Sequence, residues 1–298
     1  MRISLFGKNP KKEDLKYIEA LLQQLALRSD TVLMYEDFHS AIKDCVQMPR
    51  FASLEIFDSG SDISSLSDML FSLGGDGTLL DTLCVIKNGI VPVLGINLGH
   101  LGFLTSVGKE DIACLLDEIE KGNYEIENHS VLKVEHESVG KDKYAMNEVC
   151  VRSLTPGELL DINAFVDDEF LATYTADGLI AATPTGSTAY SMSCGGPIIS
   201  PYSRCLCITP VSPHNLTLRP IIIPESSVIR FVISEAGSDL SLHLDSQFFA
   251  VRKPLCISVS KADFEVPLIR MHKQNFFEAI RNKLMWGTNL RNRVNDAR

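Results

Sequence analysis

The clearest chemical potential lies in Gly74, Gly75, Asp76, Gly77 and Thr78, within the stretch LFSLGGDGTLLDTL. A short apolar run ends at the glycines, which let backbone N–H groups approach phosphate oxygens. A helix expected from about Thr78 adds its positive N-terminal end. Gly74, Gly75, Gly77 and Thr78 are therefore candidate phosphate-loop residues. No Gly-Lys-Ser/Thr follows, so this is not a Walker loop. A carboxylate in such a cradle repels an anion unless it acts on something else. In phosphoryl transfer an alcohol nucleophile gives up a proton, and Asp76 beside a γ-phosphate is placed to take it. The simpler alternative is a tight turn in which Asp76 caps a helix.

A second concentration lies in ADGLIAATPTGSTAYSMSCGGPIISP, residues 176–201. Thr183, Thr185, Ser187, Thr188, Tyr190, Ser191 and Ser193 surround Gly186, Gly195 and Gly196, which predicts a polar concave surface with Tyr190 able to stack on a base or ribose. Asn147 and Glu148 interrupt the apolar AMNEVCV, and a strand interior rarely holds two polar residues without a partner. They read as ligand contacts, or else as a satisfied core pair. His100 either lines the phosphate loop or is an ordinary loop histidine, and His214 reads as structural. The run KNPKKED reads as a solvated helix start, with Asn9 placed to meet phosphates.

The elements that must position these residues follow from hydrophobic periodicity. RISLFG, TVLMYE, DMLFSLG and IVPVLGIN read as strands, the last two as buried parallel strands. KKEDLKYIEALLQQLALR, residues 37–46 and KEDIACLLDEIEKGN read as helices, the last stopped by Gly122. This alternation predicts an α/β domain over residues 1–123, an open parallel sheet covered on both sides. From 124 to 273 short β-rich segments separated by Gly, Pro, Asn and Asp predict an all-β, sandwich-like domain. NFFEAIRNKLMWG, within 274–287, reads as a helix returning to the first domain, and 288–298 as a frayed tail.

The 298 residues carry a net charge of -10, which argues against nucleic acid or an anionic membrane as partner while leaving a local basic pocket possible. No segment has the length and apolarity of a membrane span or signal peptide. The 8 cysteines are scattered, and alternation puts Cys205 and Cys207 on one strand face as buried thiols, so a reducing cytoplasm is expected.

With these motifs in hand, the chain resembles the NAD kinase family. The likeness rests on GGDGT (74–78), INLGHLGFLT (96–105), NE (147–148), ADGLIAATPTGSTAYSMSCGG (176–196), PHNLTLRPIIIP (213–224) and LDSQ (244–247), in the family's order. GGDG alone is shared with diacylglycerol-type lipid kinases and phosphofructokinases; the TPTGSTAYS block singles out this family. The resemblance implies ATP-dependent phosphorylation of the adenosine-ribose 2′-hydroxyl of NAD, a divalent ion such as Mg²⁺, a Rossmann-like α/β domain followed by a β-sandwich, and a cytoplasmic homodimer or homotetramer. It implies Asp76 as the catalytic acidic residue, with Gly77 beside the nucleotide. Asn147 and Glu148 match the pair holding NAD's ribose and adenine end. Asp177 matches an acidic contact to the nicotinamide half, often from a neighbouring subunit. Thr188, Ala189, Tyr190, Ser191, Met192 and Ser193 match the stretch around adenine and ribose. Three positions depart from the family's pattern. Thr175 replaces a basic residue, Asp81 stands where many relatives are basic, and Ser246 replaces a glycine beside Gln247. A lipid kinase on the same glycine loop and a non-catalytic NAD(P) sensor are the rival readings.

Overall fold

The computed structural model describes the chain except residues 29–30, 87–88, 100–101, 141–142, 156, 235–238, 272–274 and 288–298. The readings of His100 and of the 288–298 tail fall outside the described residues.

The first half alternates as its periodicity predicts. Strands β1 (Arg2–Gly7), β2 (Thr31–Tyr35), β3 (Leu54–Phe57), β4 (Met69–Gly74) and β5 (Val93–Asn97) are parallel, in the order β3-β2-β1-β4-β5. The runs of β1, β2, β4 and β5 are apolar because both sheet faces are covered, whereas the edge strand β3, which periodicity did not predict, is exposed except at Phe57. Ile3 and Leu5 of β1, with Phe71 and Leu73 of β4, face helices α1 (Leu15–Arg28) and α2 (Glu36–Ile42). Phe6, Leu33 and Leu70 face the other side, against Leu79 of α3 (Asp76–Asp81). Helix α1 buries Ile18, Leu21, Leu22 and Leu25, whereas Leu27 falls off that stripe and is 86% exposed. Strand β6 (Val107–Gly108) extends the edge, and α4 (Ile112–Glu120) packs beside α1 before Gly122 ends it with φ +71.

The remainder is β-rich: β7 (Tyr124–Glu135), β8 (Lys143–Ala145), β9 (Glu148–Ser153), β10 (Leu160–Val166), β11 (Glu169–Ala176) and β12 (Gly178–Ala182). After a short α5 (Tyr190–Ser193) come β13 (Cys205–Val211), β14 (Ile221–Pro224), β15 (Ile229–Ile233), β16 (Leu240–Leu244), β17 (Gln247–Val251), β18 (Leu255–Met271) and α6 (Phe276–Leu284). An antiparallel sheet ordered β14-β13-β12-β9-β16-β17 lies against β11-β10-β15-β18. Val149, Leu179, Leu206 and Leu242 from one face meet Ile162, Phe231 and Ile257 from the other, as a sandwich requires.

Strand β18 belongs to both halves. Its first part pairs with β15 (Val259 opposite Ile229), and its second part meets β5 (Leu268 opposite Val93). Strand β7 runs antiparallel along it, from Glu135 opposite Ser258 to Tyr124 opposite Met271. The parallel sheet and one leaf of the sandwich therefore form one continuous 12-stranded sheet.

Candidate active site

The strand order has a reversal between β1 and β4, since the chain winds from β1 toward β2 and from β4 toward β5. Ligands of open parallel sheets bind at such a switch point, beyond the carboxyl ends of the strands. A pocket of about 250 Å³ lies there, lined by Lys8, Asn9 and Lys11 after β1 and by Gly74, Gly75 and Thr78 after β4. The KNPKKED run is thus not only a solvated helix start, because two of its lysines face this pocket. A Cβ placed on Gly75 or Gly77 would meet nothing within 4 Å, so bare backbone faces open space there. A Cβ on Gly74 would lie 2.2 Å from Thr78 Oγ1, which fixes a glycine for packing reasons.

Helix α3 begins at Asp76, two residues before the expected start, with Gly75 and not Asp76 at its N-cap position. Its carboxylate is instead held by the segment after β5. Phe103 N–H donates to Oδ2 at 2.6 Å. Leu104 N–H (3.2 Å), Thr105 N–H (3.1 Å) and the Thr105 hydroxyl (3.2 Å) all lie against Oδ1. The approach is close enough that a Cβ on Gly102 would fall 1.6 Å from Oδ1. Asn97 braces this wall by donating to Thr105 Oγ1 at 2.9 Å. Oδ1 is saturated, while Oδ2 accepts one bond among the described residues and keeps a second lone pair.

Asn147 and Glu148 stand at the start of β9, tied to three neighbouring segments. Met146 is buried in the same apolar cluster as Leu79 of α3, which draws this strand end toward the glycine loop. Asp245, at the β16–β17 turn with φ +52, accepts the N–H groups of Met146 (2.7 Å), Asn147 (2.8 Å) and Glu148 (3.0 Å). Thr183 N–H donates to Asn147 O at 2.9 Å, and a Cβ on Gly186 would lie 2.1 Å from that oxygen. Burial, reinforced by Asp245, pushes the Glu148 carboxyl up to about 8, although it accepts the Tyr190 N–H. Burial likewise raises Asp245 to about 6 against the pull of its three backbone donors. Glu148 Oε2 is buried with no hydrogen-bond partner among the described residues. Such an atom is expensive to leave bare, so it is a natural place for a ligand's donor.

The hydroxyl-rich segment is less of a ligand surface than its composition suggests. Thr183 donates to Met146 O (2.6 Å), Ser187 to Pro184 O (2.6 Å), and Ser191 pairs with Thr209 Oγ1 (2.9 Å). All three are fully buried and hold the segment's own shape. Thr188, Ala189, Tyr190 and Met192 are half-buried and Ser193 is exposed. The Arg152 guanidinium lies 5.9 Å from the Tyr190 ring centroid, a cation that sequence reading missed. Thr188 and Thr185 face a second cavity, of about 520 Å³, whose other walls include Gly102, Phe103 and Lys283 of α6. Asp177 is half-buried ahead of β12, five residues from Ala182, which pairs with Glu148. That separation is roughly 16 Å along an extended strand, so the structure does not bring Asp177 to the Glu148 cluster.

Two of the three departures from the family pattern, Asp81 and Ser246, are in contact. Asp81 Oδ2 pairs with Lys8 Nζ (2.6 Å), and Ser246 donates to Asp81 Oδ1 (2.7 Å), which links α3 to the β16–β17 turn. Gln247 is exposed, and the Thr175 hydroxyl bonds Asp161. His214 has an exposed ring, and its N–H donates to Thr175 O. All 8 cysteines are free, with Cys207 buried and Cys205 partly so. Among the described residues no three His, Cys, Asp or Glu side chains group as metal ligands. Near the pocket, Asp14 is engaged by Lys109 and Asp81 by Lys8. Among the described residues the donor set does not fit a metal held by the protein's own side chains.

Two family models match the chain: the ATP-NAD kinase N-terminal domain over residues 5–124 and the ATP-NAD kinase C-terminal domain over 146–271. The chain belongs to the NAD kinase family. Among similar proteins, an NAD kinase of Cytophaga hutchinsonii is 35% identical over 98% of this chain and 100% of its own length. An NAD kinase of Flavobacterium psychrophilum is 34% identical with the same coverage. The fold matches the crystal structure of yeast NADH kinase complexed with NADH at a TM-score of 0.85, with 26% identity over 97% of this chain and 89% of that one. It also matches an NAD kinase from Archaeoglobus fulgidus in complex with ATP, at a TM-score of 0.71 and 25% identity over 96% and 99% of the two chains. These NAD kinase structures share the parallel α/β domain, the six-stranded antiparallel sheet and the C-terminal helix found here.

Proposed function

We propose that Asp76 is the general base that takes the proton from the adenosine-ribose 2′-hydroxyl of NAD as the γ-phosphoryl group of ATP is transferred to it. As a member of the NAD kinase family the chain is a kinase that makes NADP from NAD and ATP. The observation that carries the role of Asp76 is its place between two spaces. The glycine pocket adjoins it on one side through Gly75, and the cavity reaching Thr188 adjoins it on the other through Gly102 and Phe103. Donor and acceptor can thus meet at Oδ2, the oxygen with a lone pair to spare.

Each neighbour has a physical task. The bare amides at Gly75 and Gly77, with Lys8, Lys11 and Asn9, face the donor's phosphates, which arrive as a complex with Mg²⁺. Asp76 escapes the repulsion expected in that cradle because the Phe103–Thr105 amides spread its charge. Glu148, protonated near neutrality and with one oxygen unpartnered, and Asn147 hold the ribose, where misplacement of the nucleophile would forfeit the gain from positioning. Thr188 and Tyr190 flank adenine and ribose, and Arg152 supplies the cation absent at Thr175.

The test is purified protein with ATP, Mg²⁺ and NAD, NADH or a diacylglycerol, with products separated and identified. NADP formation that requires Asp76 is expected. Phosphorylated lipid, or nucleotide binding without turnover, would overturn the reading. The matches across both halves, beyond the glycine loop, favour NAD over lipid as acceptor. We place the enzyme in the cytoplasm on its free cysteines, and no described helix is long and apolar enough to cross a membrane. A homodimer or homotetramer is proposed on edge residues Ile222 of β14 and Phe248 of β17, each more than half exposed. Light scattering checks it.

A further inference from the structure

The cavity under α6 contains a cation with no ion-pair partner among the described residues. Lys283 Nζ sits 4.1 Å from the Phe103 ring centroid and is buried with no hydrogen-bond partner among those residues. Phe103 is the residue whose N–H donates to Asp76 Oδ2, so the ammonium stands beside the proposed base. Burial lowers Lys283 to about 8, and the nearby Asp76 charge opposes that shift. An ammonium taken from water without an acceptor is unfavourable, and one aromatic face offsets only part of the loss. The neighbouring cation on this cavity, Arg270, is already paired with Glu125 and Glu127. Among the described residues, Lys283 therefore has a nearby charge in Asp76 but no anion hydrogen-bonded to it. The opposite wall carries Thr185 and Thr188, and the volume suits a nucleotide.

We propose that Lys283 contacts substrate, its ammonium receiving a phosphate oxygen of a nucleotide bound in the cavity between α6 and the Gly102–Thr105 wall. This rests on the kinase reading above. The oxygen has two possible sources, the phosphoryl group in transfer and the diphosphate of the dinucleotide, and they differ in what the loss of the charge does. The same contact makes phosphate binding weaken as pH rises through about 8, where the free amine loses its proton. Among the described residues, the other charged or titratable groups facing this space are Asp76 of α3, Glu127 and His129 of β7, Tyr202, which donates to Glu127, Arg270 of β18 and Glu278 of α6 itself. A guanidinium at 283 separates their titration from that of the lysine.

The experiment compares wild type, Lys283→Met and Lys283→Arg by calorimetric titration with NAD and with ATP separately, at about pH 7 and about pH 9, alongside NADP turnover and melting temperature. Lys283→Met is expected to cost about tenfold or more in one quantity, as loss of a charge-assisted hydrogen bond should. Weaker NAD binding alone identifies the dinucleotide diphosphate. Weaker ATP binding, or lower turnover with both affinities kept, identifies the donor phosphoryl group. Lys283→Arg should retain binding and remove the wild-type decline between the two pH values. The proposal is overturned if Lys283→Met matches wild type in all three quantities, or if both variants fall alike together with melting temperature. Should Lys283→Met not fold, an unchanged pH decline in Lys283→Arg overturns it. Wild type that binds both nucleotides but makes no NADP refutes the kinase reading, and the binding arms still decide Lys283.

Discussion

At the glycine loop the backbone is turned outward. Gly75 and Gly77 face open space, and the one carboxylate between them is steadied by amides from another loop. In the segment 183–193 the polar atoms are turned inward. Thr183, Ser187 and Ser191 spend their hydroxyls on Met146, Pro184, Ile199 and Thr209. One region exposes donors by omitting side chains; the other uses side chains to lock a shape that leaves Thr188 half-buried on a cavity wall. Chemistry should therefore be sensitive at the first region, and folding and fit at the second.

The largest effect expected is on turnover in Asp76→Asn. It should fall by at least about 10²-fold, the low end for loss of a general base. NAD affinity by calorimetry should change little. Parallel loss of affinity would make Asp76 an anchor for the Phe103–Thr105 wall and no more. Gly102→Ala reaches the same carboxylate from the other side. Its methyl, 1.6 Å from Oδ1, must push the wall away. Turnover is expected to drop about tenfold through lost positioning, read by steady-state kinetics.

Glu148→Gln sharpens the comparison through pH. The Glu148 carboxyl rises from 4.5 to about 8 on folding, so its contribution to stability is complete below about pH 4.5 and is lost as pH rises through about 8. A pH series of melting temperatures should show wild type losing ground to Glu148→Gln across that window. A constant gap between the two would contradict the assigned burial.

Smaller effects separate the inward and outward hydroxyls. Ser187→Ala leaves Ile199 N–H without its acceptor and should cost about 1–3 kcal/mol in denaturant unfolding, with KM for NAD unchanged. The Thr188 hydroxyl donates to Thr185 O at 3.1 Å but lies half-buried on the cavity wall. Thr188→Ala should raise KM for NAD a few-fold, about one hydrogen bond's worth, at a smaller cost in stability than Ser187→Ala. The smallest change is expected for Asn9→Ala, roughly a two- to threefold rise in KM for ATP as one neutral contact is lost. If Ser187 and Thr188 behaved alike, the distinction between the two regions would fail.

The parallel sheet was readable because continuous apolar runs such as DMLFSLG, short, ended by glycines and alternating with helical segments, are the pattern of strands covered on both faces. The switch-point pocket followed from where the glycines end β4. What escaped reading depends on partners remote in the chain. Ser187 meets Ile199, and Thr183 meets Met146, so hydroxyl density alone could not reveal which way each one turns. Asp245 serves Met146, Asn147 and Glu148 from nearly a hundred residues away, and its left-handed turn leaves little mark in LDSQ. Lys283 lies in the last turn of an amphipathic helix, where a lysine ordinarily complements the helix dipole in water. Asp81 and Ser246 looked like two unrelated departures until their hydrogen bond joined them.

Strand β18 sets the mechanics of substrate entry. Because it is woven into β15, β7 and β5 at once, the halves cannot swing apart like a clamshell without tearing backbone pairing. A route into the cavity that leaves this spine intact runs past the Gly102–Thr105 wall and the helix lying across it. Kinetic gating in this enzyme should accordingly respond to changes in those two segments and ignore changes between the sheets.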